Sequence, residues 1–105
     1  MGTEASNKRA KIRVKGIVQG VGFRPFVYKH ATALHLRGYV KNLGAHVDIE
    51  VEGPQSDVKR FIELLKRGPP ISRIDEVRVE WLAPSGYTEF LNLSQWGGRV
   101  WLHLP

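Results

Sequence analysis

The spacing of apolar positions changes several times along the chain, and each change marks an element. From Lys11 to Val18 the residues alternate, with Ile12, Val14 and Val18 on one side and Lys11, Arg13 and Lys15 on the other. A period of two predicts a half-buried strand. The stretch Val18-Gln19-Gly20-Val21-Gly22-Phe23-Arg24-Pro25 follows, and then Val27, Ala31 and Leu34 fall at i, i+4 and i+7. That spacing predicts a helix of about a dozen residues beginning near Pro25, with its exit at Arg37-Gly38. Gly38 to Asn42 reads as a short second strand, and Leu43 to His46 as a turn in which Gly44 takes positive φ. Val47, Ile49 and Val51 then alternate with Asp48, Glu50 and Glu52, giving a third strand and a hairpin.

After Gly53-Pro54 the period returns to that of a helix, with Val58, Phe61, Ile62 and Leu65 on one face. Ser56 or Gln55 opens it, Asp57 suits the positive N-terminal end, and Lys66, Arg67, Gly68 and Pro69-Pro70 close it. Val77, Val79 and Trp81 alternate with Arg78 and Glu80 in a fourth strand, and Thr88-Glu89-Phe90-Leu91 reads as a short edge strand after a turn at Pro84-Ser85-Gly86. The order βαββαβ plus one strand predicts an α+β fold. It is a ferredoxin-like sandwich, an antiparallel sheet with both helices on one face and an extra C-terminal edge strand. In that topology the first and third strands are antiparallel neighbours. Lys11, Arg13 and Lys15 then face Asp48, Glu50 and Glu52, and opposite charges favour the pairing by roughly 0.2–1 kcal/mol a pair.

Composition bounds the class. A chain of 105 residues, 42% hydrophobic and 25% charged, is one soluble domain. Residues 11–91 are expected to form it, between a flexible arm at 1–10 and a tail at 92–105. In that tail Arg99 to Leu104 alternates like a strand, while Trp96 and Trp101 either pack on the domain or stay exposed. The longest apolar runs are too short to cross a bilayer, and the first ten residues carry no apolar run, so neither a membrane span nor a secretory signal is expected. A cytoplasmic location is the expectation. There is no cysteine, which excludes disulfides, a thiolate nucleophile and a cysteine-bound zinc. The net charge of +6 fits an anionic partner or a merely solvated surface.

The candidate chemistry lies at the glycine-bearing turn. Glycines allow successive backbone N–H groups to converge, a helix N-terminus adds partial positive charge, and Arg24 brings a planar fork of donors suited to phosphate. Asn42 ends the second strand, either as a turn residue or as an amide able to hold a water. His30, His35, His46 and His103 lack metal-ligand spacing, and no lysine follows the glycines as in a nucleotide P-loop. No metal and no cofactor are expected.

Gly16-Ile17-Val18-Gln19-Gly20-Val21-Gly22-Phe23-Arg24 resembles the first signature of the acylphosphatases, and Gly38-Tyr39-Val40-Lys41-Asn42 resembles the second. The segments Arg24-Pro25-Phe26-Val27-Tyr28 and Pro69-Pro70-Ile71-Ser72-Arg73-Ile74-Asp75 are similar to the N-terminal domain of the hydrogenase-maturation carbamoyltransferases (the HypF family). Two places depart from the family pattern: His46, where a glycine is common, and the segment from Asn92 onward. The resemblance implies that the backbone of Gln19, Gly20, Val21, Gly22, Phe23 and Arg24, with the Arg24 guanidinium, holds a phosphoryl group. It also implies that Asn42 orients the attacking water. The expected activity is metal-independent hydrolysis of small acyl phosphates, carbamoyl phosphate among them. The expected partners are the acyl phosphate or inorganic phosphate, and other domains of a maturation enzyme, with the chain a monomer. The alternatives are a weakly or non-catalytic carbamoyl-phosphate-binding module and, from another class, an RNA-binding sheet. The opposed charges on the predicted open face and its lack of an aromatic pair speak against the RNA reading.

Overall fold

In the computed structural model, which describes residues 6–18 and 22–93, the alternating stretches pair into a five-stranded sheet. The elements are β1 (Asn7–Ile17), α1 (Phe23–Ala33), β2 (Arg37–Asn42), β3 (Val47–Pro54), α2 (Gln55–Arg67), β4 (Arg73–Leu82) and β5 (Phe90–Leu93). The spatial order is β4-β1-β3-β2-β5. Neighbours are antiparallel except β2 and β5, which run parallel and make the sheet mixed. Helix α1 covers β2 and β5, while α2 covers β1 and β3. One core fills the space between the layers. It takes Ile12 and Val14 from β1, Val40 from β2, Ile49 and Val51 from β3, Val27 and Ala31 from α1, and Val58, Phe61 and Leu65 from α2. This is the ferredoxin-like α+β sandwich that the periodicity predicts.

Four local differences have physical reasons. Strand β1 begins at Asn7, inside the stretch expected to be a flexible arm, because Ala10 is buried in the core and Arg9 has an ion-pair partner across the sheet. Residues 1–5 of that arm lie outside the described residues. Helix α1 starts at Phe23 and ends at Ala33, well before Arg37-Gly38. Leu34, expected on its buried face, is the C-cap and packs partly buried against the core. The chain leaves through His35, at φ 58, whose N–H donates to Thr32 O at 3.0 Å while the Leu36 N–H donates to Ala31 O at 2.9 Å. These are the paired bonds of a Schellman closure. Strand β5 extends through Asn92 and Leu93, which the sequence alone places in the tail; the expectations for Trp96, Trp101 and the rest of the tail lie outside the described residues. Val79 and Trp81 face the helix side of edge strand β4, yet remain 36% and 41% exposed because α2 lies over β1 and β3.

The register settles the charge pairing on the face away from the helices. Arg9 stands opposite Glu52, Lys11 opposite Glu50 and Arg13 opposite Asp48, while Lys15 lies beyond β3 and opposes Glu76 of β4. Since β4 and β5 are at opposite edges, their connection crosses this face as a strap. The N–H groups of Ser85 and Gly86 donate to the two carboxylate oxygens of Glu52 at 2.8 and 3.0 Å. The Tyr87 hydroxyl donates to Glu50 at 2.7 Å. Glu50 and Glu52 are therefore buried, not solvent-facing. Arg9 Nη1 donates to Glu50 at 2.9 Å, and the Tyr39 hydroxyl at 3.3 Å. Burial alone pushes the Glu50 carboxyl up, but the bonds from Tyr87, Arg9 and Tyr39 and the Arg9 charge outweigh it and hold the group below the ordinary carboxylate value.

Candidate active site

Strands β1, β2 and β5 all point the same way, because β3 is antiparallel to both β1 and β2, and β5 is parallel to β2. Their C-terminal ends are brought level by the register. Val14 pairs with Val47, Val47 pairs with Asn42, and Lys41, beside Asn42, pairs with Leu93. The connection after β1 and the first turn of α1 leave from this same end. It is the end of an α/β layer where ligands commonly bind, because loops and helix N-termini converge there.

Local sequence fixes each part of that end. Gly16 sits at an irregularity in the β1–β4 pairing, at φ 142. A Cβ there would lie 2.0 Å from the Arg73 carbonyl oxygen, so only glycine lets β1 pass β4 so closely before the turn. Gly22 forms the N-cap of α1 in the left-handed region, and its carbonyl accepts the first helical bond from Phe26 at 3.1 Å. The first N–H groups of a helix have no intrahelical acceptor, and no acidic residue stands in the first turn of α1 to compete with an incoming anion. Phe23 anchors the turn by burying its ring, and Val27 and Ala31 continue that buried face. Pro25, in the first turn, has no N–H to lose.

Arg24 is half-buried at the second helical position, and its Nη1 donates to the Leu93 carbonyl at 3.3 Å. The guanidinium is thus tied to the residue opposite Lys41, next door to Asn42. Asn42 makes an Asx turn, its Oδ1 accepting from the Gly44 N–H at 2.8 Å, which fixes the orientation of the side-chain amide. The turn reading of Asn42 and the water-holding reading are compatible, since the turn supplies the rigidity that holding a water requires. His46 closes the same turn, its carbonyl accepting from the Leu43 N–H at 2.9 Å, with its ring over Asp48.

Of the residues assigned to the phosphate cradle, Gly22, Phe23 and Arg24 lie at the N-terminal end of α1, and Phe23 has only its backbone to offer. Gln19, Gly20 and Val21 lie outside the described residues. His30 packs edge-on against Phe26, and burial pushes its imidazole below the ordinary histidine value. Sequence reasoning missed Asn92. It is 3% exposed on the helix-facing side of β5, and neither its Oδ1 nor its Nδ2 has a hydrogen-bond partner among the described residues. The signal was present in Phe90-Leu91-Asn92-Leu93, where an amide falls at a core position of a two-residue period.

Known proteins are similar to this chain in sequence and fold. The acylphosphatase of Caldivirga maquilingensis is 56% identical over 77 residues, spanning 71% of this chain and 81% of that protein. The probable carbamoyltransferase HypF of Methanocaldococcus jannaschii is 52% identical over 83 residues, 78% of this chain and 11% of that much longer protein. The crystal structure of acylphosphatase from Bacillus subtilis superposes with a TM-score of 0.77 at 37% identity, covering 83% of this chain and 96% of that one. The chain therefore spans most of a stand-alone relative and about a tenth of a HypF relative. Since the acylphosphatase family model also matches residues 10–91, most of its length, this chain belongs to the acylphosphatase family.

Proposed function

We propose that the chain hydrolyses the carboxyl–phosphate bond of small acyl phosphates, carbamoyl phosphate included, at the site formed by the first turn of α1 and the end of β2. The observation that carries the reading is the convergence of three strand ends on the α1 N-terminus, with Arg24 clamped to Leu93 beside Asn42. In this reading the backbone N–H groups from Gln19 to Arg24 and the Arg24 guanidinium bind the phosphoryl oxygens. The Asn42 amide positions a water for in-line attack on phosphorus. The water oxygen forms the new P–O bond as the bond to the acyl oxygen breaks. The electron pair leaves on a carboxylate or carbamate, and the water's protons pass to phosphate and solvent. A carboxylate leaves readily without a general acid, so positioning and charge stabilisation carry the rate.

The test is hydrolysis of benzoyl phosphate and carbamoyl phosphate with EDTA present. Wild type is expected to turn over both. Arg24→Ala and Asn42→Ala are each expected to lower kcat about 10²–10³-fold while keeping the wild-type circular dichroism spectrum. A second reading follows from the similarity to HypF, of which the chain spans only 11%. In it the chain is a domain that binds carbamoyl phosphate for another domain to use. A folded wild type that binds inorganic phosphate and turns over neither substrate favours that reading.

A further inference from the structure

Asn92 is an anomaly: among the described residues, both polar atoms of its buried amide lack a hydrogen-bond partner. A buried amide usually finds partners, and leaving its donor and its acceptor both unpaired is a substantial loss. Its place in the fold gives the loss a meaning. Phe90, two residues earlier on the same face of β5, meets the Tyr28 ring edge-on at 6.1 Å. Leu93, one residue later, gives its carbonyl to Arg24. Strand β5 therefore runs antiparallel to α1, from Tyr28 toward Arg24, and Asn92 lies beneath the stretch between them, under the first helical turn. An unpaired amide sits below a helix N-terminus that carries an arginine and no acid.

We infer that Asn92 is a specificity residue that reads the acyl end of the substrate, and that the group it selects is a carbamoyl. This rests on the acyl-phosphate reading of the site. The acyl carbon is joined to phosphorus through a single bridging oxygen, so a phosphoryl group held on the first turn of α1 keeps its acyl group close by. Asn92 offers one donor, Nδ2–H, and one acceptor, Oδ1, in one plane. A carbamoyl group offers the complement in one plane, a carbonyl that accepts and an NH₂ that donates. An acetyl group has the same size and shape but carries CH₃ in place of NH₂, and it leaves Oδ1 unpaired. At 3% exposure Asn92 leaves no room for a bulky acyl group, so in this inference only a small group reaching beneath the helical turn would meet it.

The experiment compares carbamoyl phosphate with acetyl phosphate, reading the ratio of their kcat/KM values in the full chain for wild type, Asn92→Leu and Asn92→Val. Wild type is expected to prefer carbamoyl phosphate by about tenfold or more, the usual size of discrimination when a buried polar group is left without its partner. Both variants are expected to lose that preference. Both are also expected to melt at higher temperature, since an apolar side chain suits the core. An unchanged ratio in folded variants overturns the inference and leaves the proposed hydrolysis standing. Failure of the wild type to hydrolyse either compound overturns the hydrolysis. The same ratio is then read from dissociation constants by titration calorimetry, and an equal affinity for the two compounds in wild type overturns the inference.

Discussion

His35 carries a side chain through the left-handed region, where a Cβ crowds the backbone. The two closing bonds of α1 hold it there, so the strain is stored locally. His35→Gly relieves it and is expected to stabilise the fold by roughly 0.5–1 kcal/mol, seen as a melting-temperature rise of a few degrees; no rise in melting temperature would show that the histidine is unstrained. Gly16 is the opposite case. A methyl group there meets the Arg73 carbonyl at 2.0 Å and the Asp75 N at 2.9 Å, both backbone atoms that cannot swing aside. Gly16→Ala is expected to cost at least about 2 kcal/mol in urea unfolding, by prising β1 from β4 just where the chain turns toward the site. Neither effect involves a buried side chain, and both follow from the backbone.

At the scale of elements, the strap between β4 and β5 depends on carboxylates. Glu50 titrates below its ordinary value in the folded chain, so its stabilising effect is present above the unfolded-state value and is lost as pH falls through the lowered one. Wild type and Glu50→Gln are accordingly expected to differ most in urea midpoint near pH 7 and to converge as pH falls below the ordinary carboxylate range. A difference that stays constant with pH would show that charge is not what holds the strap. On the alkaline side burial, aided by Glu50, pushes the Tyr87 hydroxyl up to about 12. Its bond to Glu50 is fully present below the ordinary tyrosine value and lost as pH rises through the raised one. Helices and strands were legible because each buries one face, and burial writes a period into the sequence. The strap was not legible, because Glu50 and Glu52 alternate with Ile49 and Val51 as solvent-facing residues do. Only the crossing path of residues 83–89 turns them inward. The parallel pairing of β5 escaped notice for a related reason: four residues give two alternations, and Asn92 occupies one of them.

For the whole molecule, the candidate site is made by topology more than by any single motif. Gly22 and Arg24 could be picked out of the sequence as a glycine turn and a cation opening a helix, whereas Asn42 reads equally as a turn residue and is singled out by the resemblance to the acylphosphatase signatures. What holds them in one place could not. The link is the Leu93 carbonyl, a backbone atom with no signature of its own, set by the register of β5 against β2. A chain ending at Glu89 loses that carbonyl, exposes the edge of β2 and removes Phe90 from the core. It is expected to unfold at lower urea concentration and to bind inorganic phosphate at least about tenfold more weakly than the full chain, in titrations at a temperature where both are folded.

The clamp between Arg24 and Leu93 joins residues 69 positions apart. A ribosome makes the arginine early and its anchor late, so the guanidinium waits through 69 further residues of synthesis for the strand that ties it down. In the proposed function, competence to bind an acyl phosphate then arrives with the emergence of β5 from the exit tunnel, and a chain that stalls before that point carries the arginine without the carbonyl that ties it down.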